Sequence, residues 1–367
     1  MSLNNKPVIG IALFGMGNIG SHWLKLFSKQ CFLPGDFSTN FRLVSVANSS
    51  SVLVESSDLE LDILEIGKQF ENYAKPYNVA SLLSKLSSLN YDNLVILDVT
   101  ASCELASLYP TIAKYGMHLV TANKYAGSSP TSFYSEVIKA FALSQKLWRA
   151  NATVGAGLPI NSAIQDLIDS GDKVLSISGI FSGTLSWLFE KYDGSIPFSH
   201  LVRAALEEGF TEPDPRLDLD GSDVMRKLII LSRIADINIE PEDVKVESLV
   251  PYELSELSVE DFFASASSLD RDIKRRFDDA KSRGKLLRYV ARLTAAGKAN
   301  VGIEELDINS PLVNLLPGDN VFVVNSNWYS LNPLVIRGPG AGRDVTAGAL
   351  QSDLVQISKS LNSLVRL

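Results

Sequence analysis

The residues that most constrain this chain are its first regular ones. Val8-Ile9-Gly10-Ile11-Ala12-Leu13-Phe14 is an uninterrupted apolar run, and it leads into Gly15-Met16-Gly17-Asn18-Ile19-Gly20. A helical pattern follows over residues 22–30. Buried strand, G-x-G-x-x-G turn and helix in that order predict the opening of a dinucleotide-binding unit. The first glycine permits the tight turn, the second lets backbone approach a pyrophosphate, and the third lets helix pack closely on strand. N–H groups at the helix start then face the phosphates. Gly15, Gly17, Asn18, Ile19 and Gly20 are therefore candidate cofactor-binding residues. A glycine-rich turn without a ligand is the alternative; the flanking strand and helix favour the dinucleotide.

An acidic residue at the end of the second strand would bond the ribose 2′-hydroxyl and select NAD. This chain has Ala47-Asn48-Ser49-Ser50 there. No carboxylate repels a 2′-phosphate and no arginine demands one, so the reading leans to NADP and leaves NAD open.

Strand and helix signals alternate through the first third, with strands expected at residues 42–47, 95–99 and 118–121 and a helix at about 132–143. Such alternation predicts a parallel sheet built from crossover units. The middle differs. Helices are expected at 160–170, from Gly183, at 199–208 and at 223–234, with a strand at 174–181. Residues 258–285 form two charge-rich helical segments, a solvated outer face. Strands return at 287–293, 301–305, 321–325, 328–331 and 334–337. After Gly338-Pro339-Gly340-Ala341-Gly342 a helical pattern would let the chain rejoin the first sheet. The predicted fold class is α/β: a Rossmann-type doubly wound parallel sheet over residues 1–148 and 338–367, plus an α+β domain over 149–337.

Composition narrows the function. A net charge of -8 and no basic stripe argue against nucleic acid and anionic membranes as partners. No run approaches the roughly 20 apolar residues of a membrane helix, and no signal peptide opens the chain. Cys31 and Cys103 are too few for a disulfide framework or a zinc site. His22, His118 and His200 are scattered and are expected on the surface or in packing. A reducing, cytoplasmic location is expected.

The most informative segment is Gly209–Lys227, GFTEPDPRLDLDGSDVMRK. Proline after Glu212 and after Asp214 pushes both out of helical conformation and concentrates carboxylates on a stiff loop. A helix then begins near Ser222, placing Asp223 and Lys227 four apart on one face, with Val224, Leu228 and Leu231 as its buried stripe. A solvated loop with a surface ion pair is one reading. The other is a site for a substrate bearing an ammonium group, held by Glu212 and Asp218, with Lys227 polarising or protonating a carbonyl and Asp223 orienting it.

These residues resemble homoserine dehydrogenase. GFTEPDPRLDLDGSDVMRKL, ATVGAGLPI (152–160), SGIFSGTLSWLF (178–189), TANK (121–124) and GPGAGRDVTAGAL (338–350) are similar to that family's blocks, in the family's order and across nearly the whole chain. The likeness is strongest to the form fused to aspartate kinase and to the stand-alone fungal form. It implies NAD(P)H-dependent reduction of aspartate 4-semialdehyde to homoserine on the route to threonine, methionine and isoleucine. Lys227 would be the proton donor, Asp223 its partner, and Glu212 and Asp218 the amino-acid clamp. Lys124 would lie near nicotinamide and substrate, Thr100 and Ala101 would contact the cofactor, and Gly342 would touch it near the nicotinamide. Gly183 and Thr184 either shape the substrate pocket or cap a helix. The resemblance also implies a homodimer joined through the 149–337 domain.

The family binds a sodium-like cation through carbonyls; Asn151, Val154, Ala156 and Leu158 occupy the matching positions, with Asn151 where an acidic residue is usual. The chain leaves about 25 residues after its glycine-rich return, so no threonine-binding regulatory module is expected. Two rivals stand beside this reading. The nearer is another nicotinamide enzyme acting on a related amino-acid aldehyde or phosphate, of which a phosphorylating aldehyde dehydrogenase would need a thiolate beside a histidine; the other is a non-catalytic dinucleotide sensor, which would not need the acidic loop and Lys227. The enzymatic reading requires that the glycine turn bring the nicotinamide within hydride reach of Lys227.

Overall fold

The computed structural model of the protein describes residues 8–29 and 40–364. Gln30 at the end of the first expected helix, Cys31, and Met1-Ser2-Leu3 lie outside the described residues. The chain divides into two compact units, one running to Gly157 and resuming at Gly342, the other spanning Leu158–Ala341.

In the first unit the strands are β1 (Val8–Phe14), β2 (Asn40–Ala47), β3 (Ser51–Val54), β4 (Lys75–Pro76), β5 (Asn93–Asp98), β6 (His118–Thr121) and β7 (Trp148–Arg149). Their spatial order is β4-β3-β2-β1-β5-β6-β7. β1 lies between β2 and β5, parallel to both, and β5, β6 and β7 continue the parallel run. The sheet is not wholly parallel: β3 and β4 are antiparallel, because the tight Asn48–Ser51 turn reverses the chain after β2. Both faces are covered. Helices α1 (Asn18–Ser28) and α2 (Ile66–Tyr73) and the C-terminal helix Arg343–Leu364 contribute to the core around Ile9, Ile11 and Leu13. Helices α3 (Val79–Ser87), α4 (Cys103–Ser107), α5 (Tyr109–Lys114), α6 (Tyr125–Ser128) and α7 (Thr131–Leu143) contribute to the core around Ala12, Phe14 and Ile96. Strands buried on both faces explain the continuous apolar runs.

The second unit contains, in order, α8 (Ile160–Asp169), β8 (Val174–Ile180), α9 (Gly183–Lys191), α10 (Phe198–Glu207), α11 (Arg216–Leu219), α12 (Ser222–Ile234), β9 (Val244–Val246), α13 (Val259–Ala264), α14 (Ser267–Ser282), and β10 (Lys285–Thr294), β11 (Ala299–Asp307), β12 (Asp319–Ser326) and β13 (Leu334–Pro339). The strands form one sheet in the order β13-β12-β8-β10-β11-β9. α14 is the charge-rich outer helix that composition suggests, anchored by a thin stripe of Leu269, Ile273 and Ala280.

Three details depart from expectation. The units part at Gly157 and Gly342 rather than at 148 and 338. β7 joins the first sheet, Gly157 packs so closely that a Cβ would lie 2.6 Å from the Val345 carbonyl oxygen, and β13 holds the chain in the second sheet to Pro339. Residues 328–331 form no strand; the chain bends there and leaves Trp328 62% and Leu331 90% exposed. The first helix begins at Asn18, directly on the glycine turn.

Candidate active site

The glycine turn sits where the order of the first sheet reverses, between β1 and β5, the position at which open α/β sheets bind ligands. Gly15 has φ +106°, a conformation that favours glycine. A Cβ on Gly20 would fall 1.8 Å from the Gly15 carbonyl oxygen, whereas one on Gly17 would meet nothing within 4 Å. The third glycine therefore serves packing, and the second leaves space. α1 starts with no side-chain cap and no acidic residue in its first turn. Its leading N–H groups are thus suited to an anion. Ile19 packs into the core, so its main chain is the part that can meet a phosphate. At the end of β2 the Asn48 carboxamide accepts the N–H groups of Ser50 and Ser51.

Buried Asp98 at the end of β5 ties the neighbouring loops together. Oδ1 accepts the Thr100 N–H and hydroxyl at 2.8 and 2.7 Å; Oδ2 accepts the Tyr109 hydroxyl at 2.7 Å and the Asn123 amide at 3.2 Å. Burial pushes this carboxyl above the usual carboxylate range, against those hydrogen bonds. Asn123 also donates to the Ser102 carbonyl and accepts the Tyr125 N–H. Thr100, Ala101 and Lys124 are thereby held on adjacent strand ends, Lys124 opening α6. Gly342 has φ +142°, and its carbonyl accepts both the N–H and the hydroxyl of Thr346.

Asn151, Val154 and Ala156 lie on a turn in which Gly155 and Ala156 are both left-handed, at φ +71° and +54°. A carboxylate of the C-terminal helix meets Asn151: Asp353 accepts the Asn151 N–H at 2.9 Å and its side-chain amide at 2.6 Å. Burial raises the Asp353 carboxyl to about 6, against the Asn151 bonds. Leu158, the fourth of that set, begins the second unit.

In the second unit Lys227 occupies the buried stripe of α12 with Val224, Leu228 and Leu231, only 9% exposed. A cation among apolar side chains requires partners. Nζ donates to the Phe181 carbonyl at 2.7 Å and pairs with Asp223 Oδ2 at 2.7 Å. An ammonium carries three N–H groups; two are directed by the protein, and these fix the direction of the third. Gly221, at φ +77°, starts the helix under Tyr289, whose hydroxyl a Cβ would meet at 2.1 Å.

The acidic loop sorts its carboxylates. Asp214 binds Arg216, which holds it below the usual carboxylate range, while Arg216 also donates to the carbonyls of Leu254, Ser255 and Leu257. Asp220 accepts the Ser222 N–H. Asp218 instead accepts the Glu212 N–H at 2.8 Å and the Thr184 hydroxyl at 2.9 Å. Its carboxyl is pushed up by burial, with the charges of Glu212 and Asp223 adding to the effect. Three carboxylates thus act on one another, an arrangement that favours a cationic group. Gly183-Thr184 is not the helix cap: Ser182 caps α9 by accepting the Leu185 N–H, which frees Thr184 to bridge the Phe210 carbonyl and Asp218.

Two residues escaped sequence reasoning. Asn320, fully buried, donates to the same Phe181 carbonyl as Lys227, at 3.1 Å. Asp353 is the other. An Asn opening the apolar run Val321–Val324, and an Asp on the helix face shared by Leu350, Leu354 and Ile357, were the available signals. The histidines lie where expected: His118 buried between Asn93 and the Leu147 N–H, His22 beside Asp344, His200 exposed. Cys103 is free and exposed. Among the described residues no helix is long and apolar enough to cross a membrane.

Comparison with known proteins agrees with this geometry. A profile of the homoserine dehydrogenase NAD-binding domain matches residues 15–150, and a homoserine dehydrogenase profile matches residues 159–355. The chain is 51% identical over 354 residues to bifunctional aspartokinase/homoserine dehydrogenase 2 of Escherichia coli (strain K12), covering 96% of this chain and 44% of that protein. It is 36% identical to the chloroplastic bifunctional aspartokinase/homoserine dehydrogenase 2 of Zea mays, covering 98% and 39%. The chain therefore spans less than half the length of these curated relatives. A crystal structure of a Candida auris protein of unknown function superposes with TM-score 0.87 at 33% identity, covering 96% and 98% of the two chains. A hyperthermophilic archaeal homoserine dehydrogenase in complex with NADPH superposes with TM-score 0.73 at 20% identity, covering 96% and 98%, a likeness of fold. Two profiles that together take in almost the whole chain, and close relatives over the same span, make this chain a member of the homoserine dehydrogenase family.

Proposed function

We propose that the protein reduces aspartate 4-semialdehyde to L-homoserine, a step towards threonine, methionine and isoleucine, using NADPH in preference to NADH. The observation that carries this reading is the buried Lys227 ammonium, directed by the Phe181 carbonyl and Asp223 in a unit whose remaining carboxylates are arranged for a cation. Asp218 and Glu212 bind the substrate ammonium, and Thr184 holds Asp218 in place. The third N–H of Lys227 donates to the aldehyde oxygen and transfers its proton as charge develops there. A nicotinamide dinucleotide would be held through its pyrophosphate by the Gly15–Gly20 turn and would supply the hydride for the aldehyde carbon. Asp223 then faces a neutral amine, which solvent reprotonates.

NADPH is favoured because the residues after β2 bear no carboxylate and Asn48 is engaged in its own turn. The neighbour solved with NADPH is consistent with this choice. A monovalent cation fits the turn on which Gly155 and Ala156 are both left-handed; the main-chain carbonyls of Asn151, Val154 and Ala156 would hold it. A homodimer is part of the reading: β13 is an edge strand that leaves Val335 exposed, and open edges with apolar side chains invite pairing. A cytoplasmic location accords with the free thiol of Cys103. The decisive assay follows NADPH absorbance. Its loss on adding aspartate semialdehyde, faster than with NADH, is expected; no loss with that aldehyde overturns the proposal.

A further inference from the structure

We infer that Asn320 is a positioning residue for Lys227, acting through the Phe181 carbonyl and resting on the reading of function given above. The Phe181 oxygen, at the end of β8, receives Lys227 Nζ at 2.7 Å and Asn320 Nδ2 at 3.1 Å. A carbonyl has two lone pairs. With one donor, it and the ammonium can swing together. With two donors arriving from different elements, α12 and β12, its direction is fixed, and the third N–H of Lys227 is fixed with it.

Asn320 is itself held from the other side. It pairs with Gly338 across β12 and β13, and a Cβ on Gly340 would fall 1.9 Å from its Cγ. The glycine therefore lets backbone press on the amide and leaves it no second rotamer on that side. The arrangement burdens the fold. Asn320 is 0% exposed, yet its Oδ1 has no hydrogen-bond partner. A buried unpaired oxygen is destabilising, and an apolar side chain of the same size would remove that cost. Packing alone thus gives no reason for an amide here, while the donor to Phe181 does.

The test separates positioning from packing. Asn320→Leu keeps the branched outline and deletes the donor, though its methyls are bulkier than the amide. The expected result is a melting temperature at or modestly below that of wild type, a KM for NADPH within about twofold of wild type, and a kcat lower by about a hundredfold, the scale of a small misplacement of a catalytic group. Gly340→Ala, which leaves the amide but forces it aside, is expected to lower kcat comparably. Combining Asn320→Ala with Gly340→Ala should cost no more than Asn320→Ala alone, because the added methyl enters the vacated space. Near-normal kcat in Asn320→Leu with an active wild type overturns the role of Asn320 and leaves the function intact. Full additivity of the two alanine substitutions also overturns it. A wild type inactive towards aspartate semialdehyde overturns the functional reading itself.

Discussion

Lys227 and Phe181 are joined by a 2.7 Å hydrogen bond from an ammonium on a helix to the main-chain carbonyl beyond a strand. The contact converts a flexible side chain into a directed donor. Removing it should affect chemistry far more than ligand binding. Lys227→Ala is expected to lower kcat by roughly 10²–10⁴-fold, the usual contribution of a general acid. The dissociation constant for NADPH, measured by fluorescence titration, should stay near wild type. Turnover within a few-fold of normal would show that the proton comes from elsewhere.

Asp218 binds two donors, the Glu212 N–H and the Thr184 hydroxyl. In Asp218→Asn the side chain keeps its shape but loses the negative charge offered to the substrate ammonium. Losing one charge-assisted bond costs about 1.5–3 kcal/mol, so the KM for the aldehyde should rise roughly ten- to hundredfold while that for NADPH holds. Because burial raises the Asp218 carboxyl, substrate affinity in the wild type should weaken as pH falls, starting above the ordinary carboxylate range. Asp218→Asn should lose that pH dependence; a retained one would assign it to another group.

The glycines of the turn are expected to separate folding from binding. Gly17→Ala introduces a methyl with nothing within 4 Å, so its melting temperature should match wild type while NADPH binding weakens. Gly20→Ala places a methyl 1.8 Å from a backbone oxygen, and should lower the melting temperature as well. Equal thermal stability of the two variants would contradict this division.

Two buried groups give opposing acid responses. In buffer free of sodium and potassium, Asp353, raised by burial to about 6, binds its proton more readily in the folded state, so its contribution to stability grows as pH falls from about 6 towards 4. His118, lowered by burial to about 4, resists protonation when folded, so its contribution falls as pH drops from about 6.5 to 4. Asp353→Asn removes the first effect only. Melting curves between pH 7 and 4 should show the variant losing stability more steeply than wild type, by up to roughly 2–4 kcal/mol. Parallel curves would refute the assignment.

What the sequence disclosed was local. Buried parallel strands appear as apolar runs, and the glycine turn carries its own spacing, so β1, β5 and β6 could be anticipated, whereas α1 starts at Asn18 rather than at residue 22. The Asp223–Lys227 pair also follows from helical geometry and is observed at 2.7 Å. Helices α2 to α5 were not anticipated: α2 buries only Ile66 and α4 and α5 are very short, whereas α3 carries a helical apolar spacing, Val79, Leu82, Leu83 and Leu86, that could have disclosed it. Residues 328–331 misled because Trp328 and Leu331 suit a strand yet lie in an exposed bend. Asn320 and Asp353 stand far along the chain from Lys227 and Asn151, and only tertiary structure brings them into contact.

The return of the chain at Gly342 has a consequence for biosynthesis. Ala347, Leu350, Leu354 and Ile357 of the C-terminal helix complete the core that also holds Ile9, Ile11 and Leu13. On a ribosome the Leu158–Ala341 unit emerges whole before those residues do, although the nucleotide-binding sheet was started first. That sheet must wait with part of one apolar face uncovered until the helix after Gly342 has been made. The interval is the stage of its life at which the nascent protein is most exposed to aggregation and to chaperones.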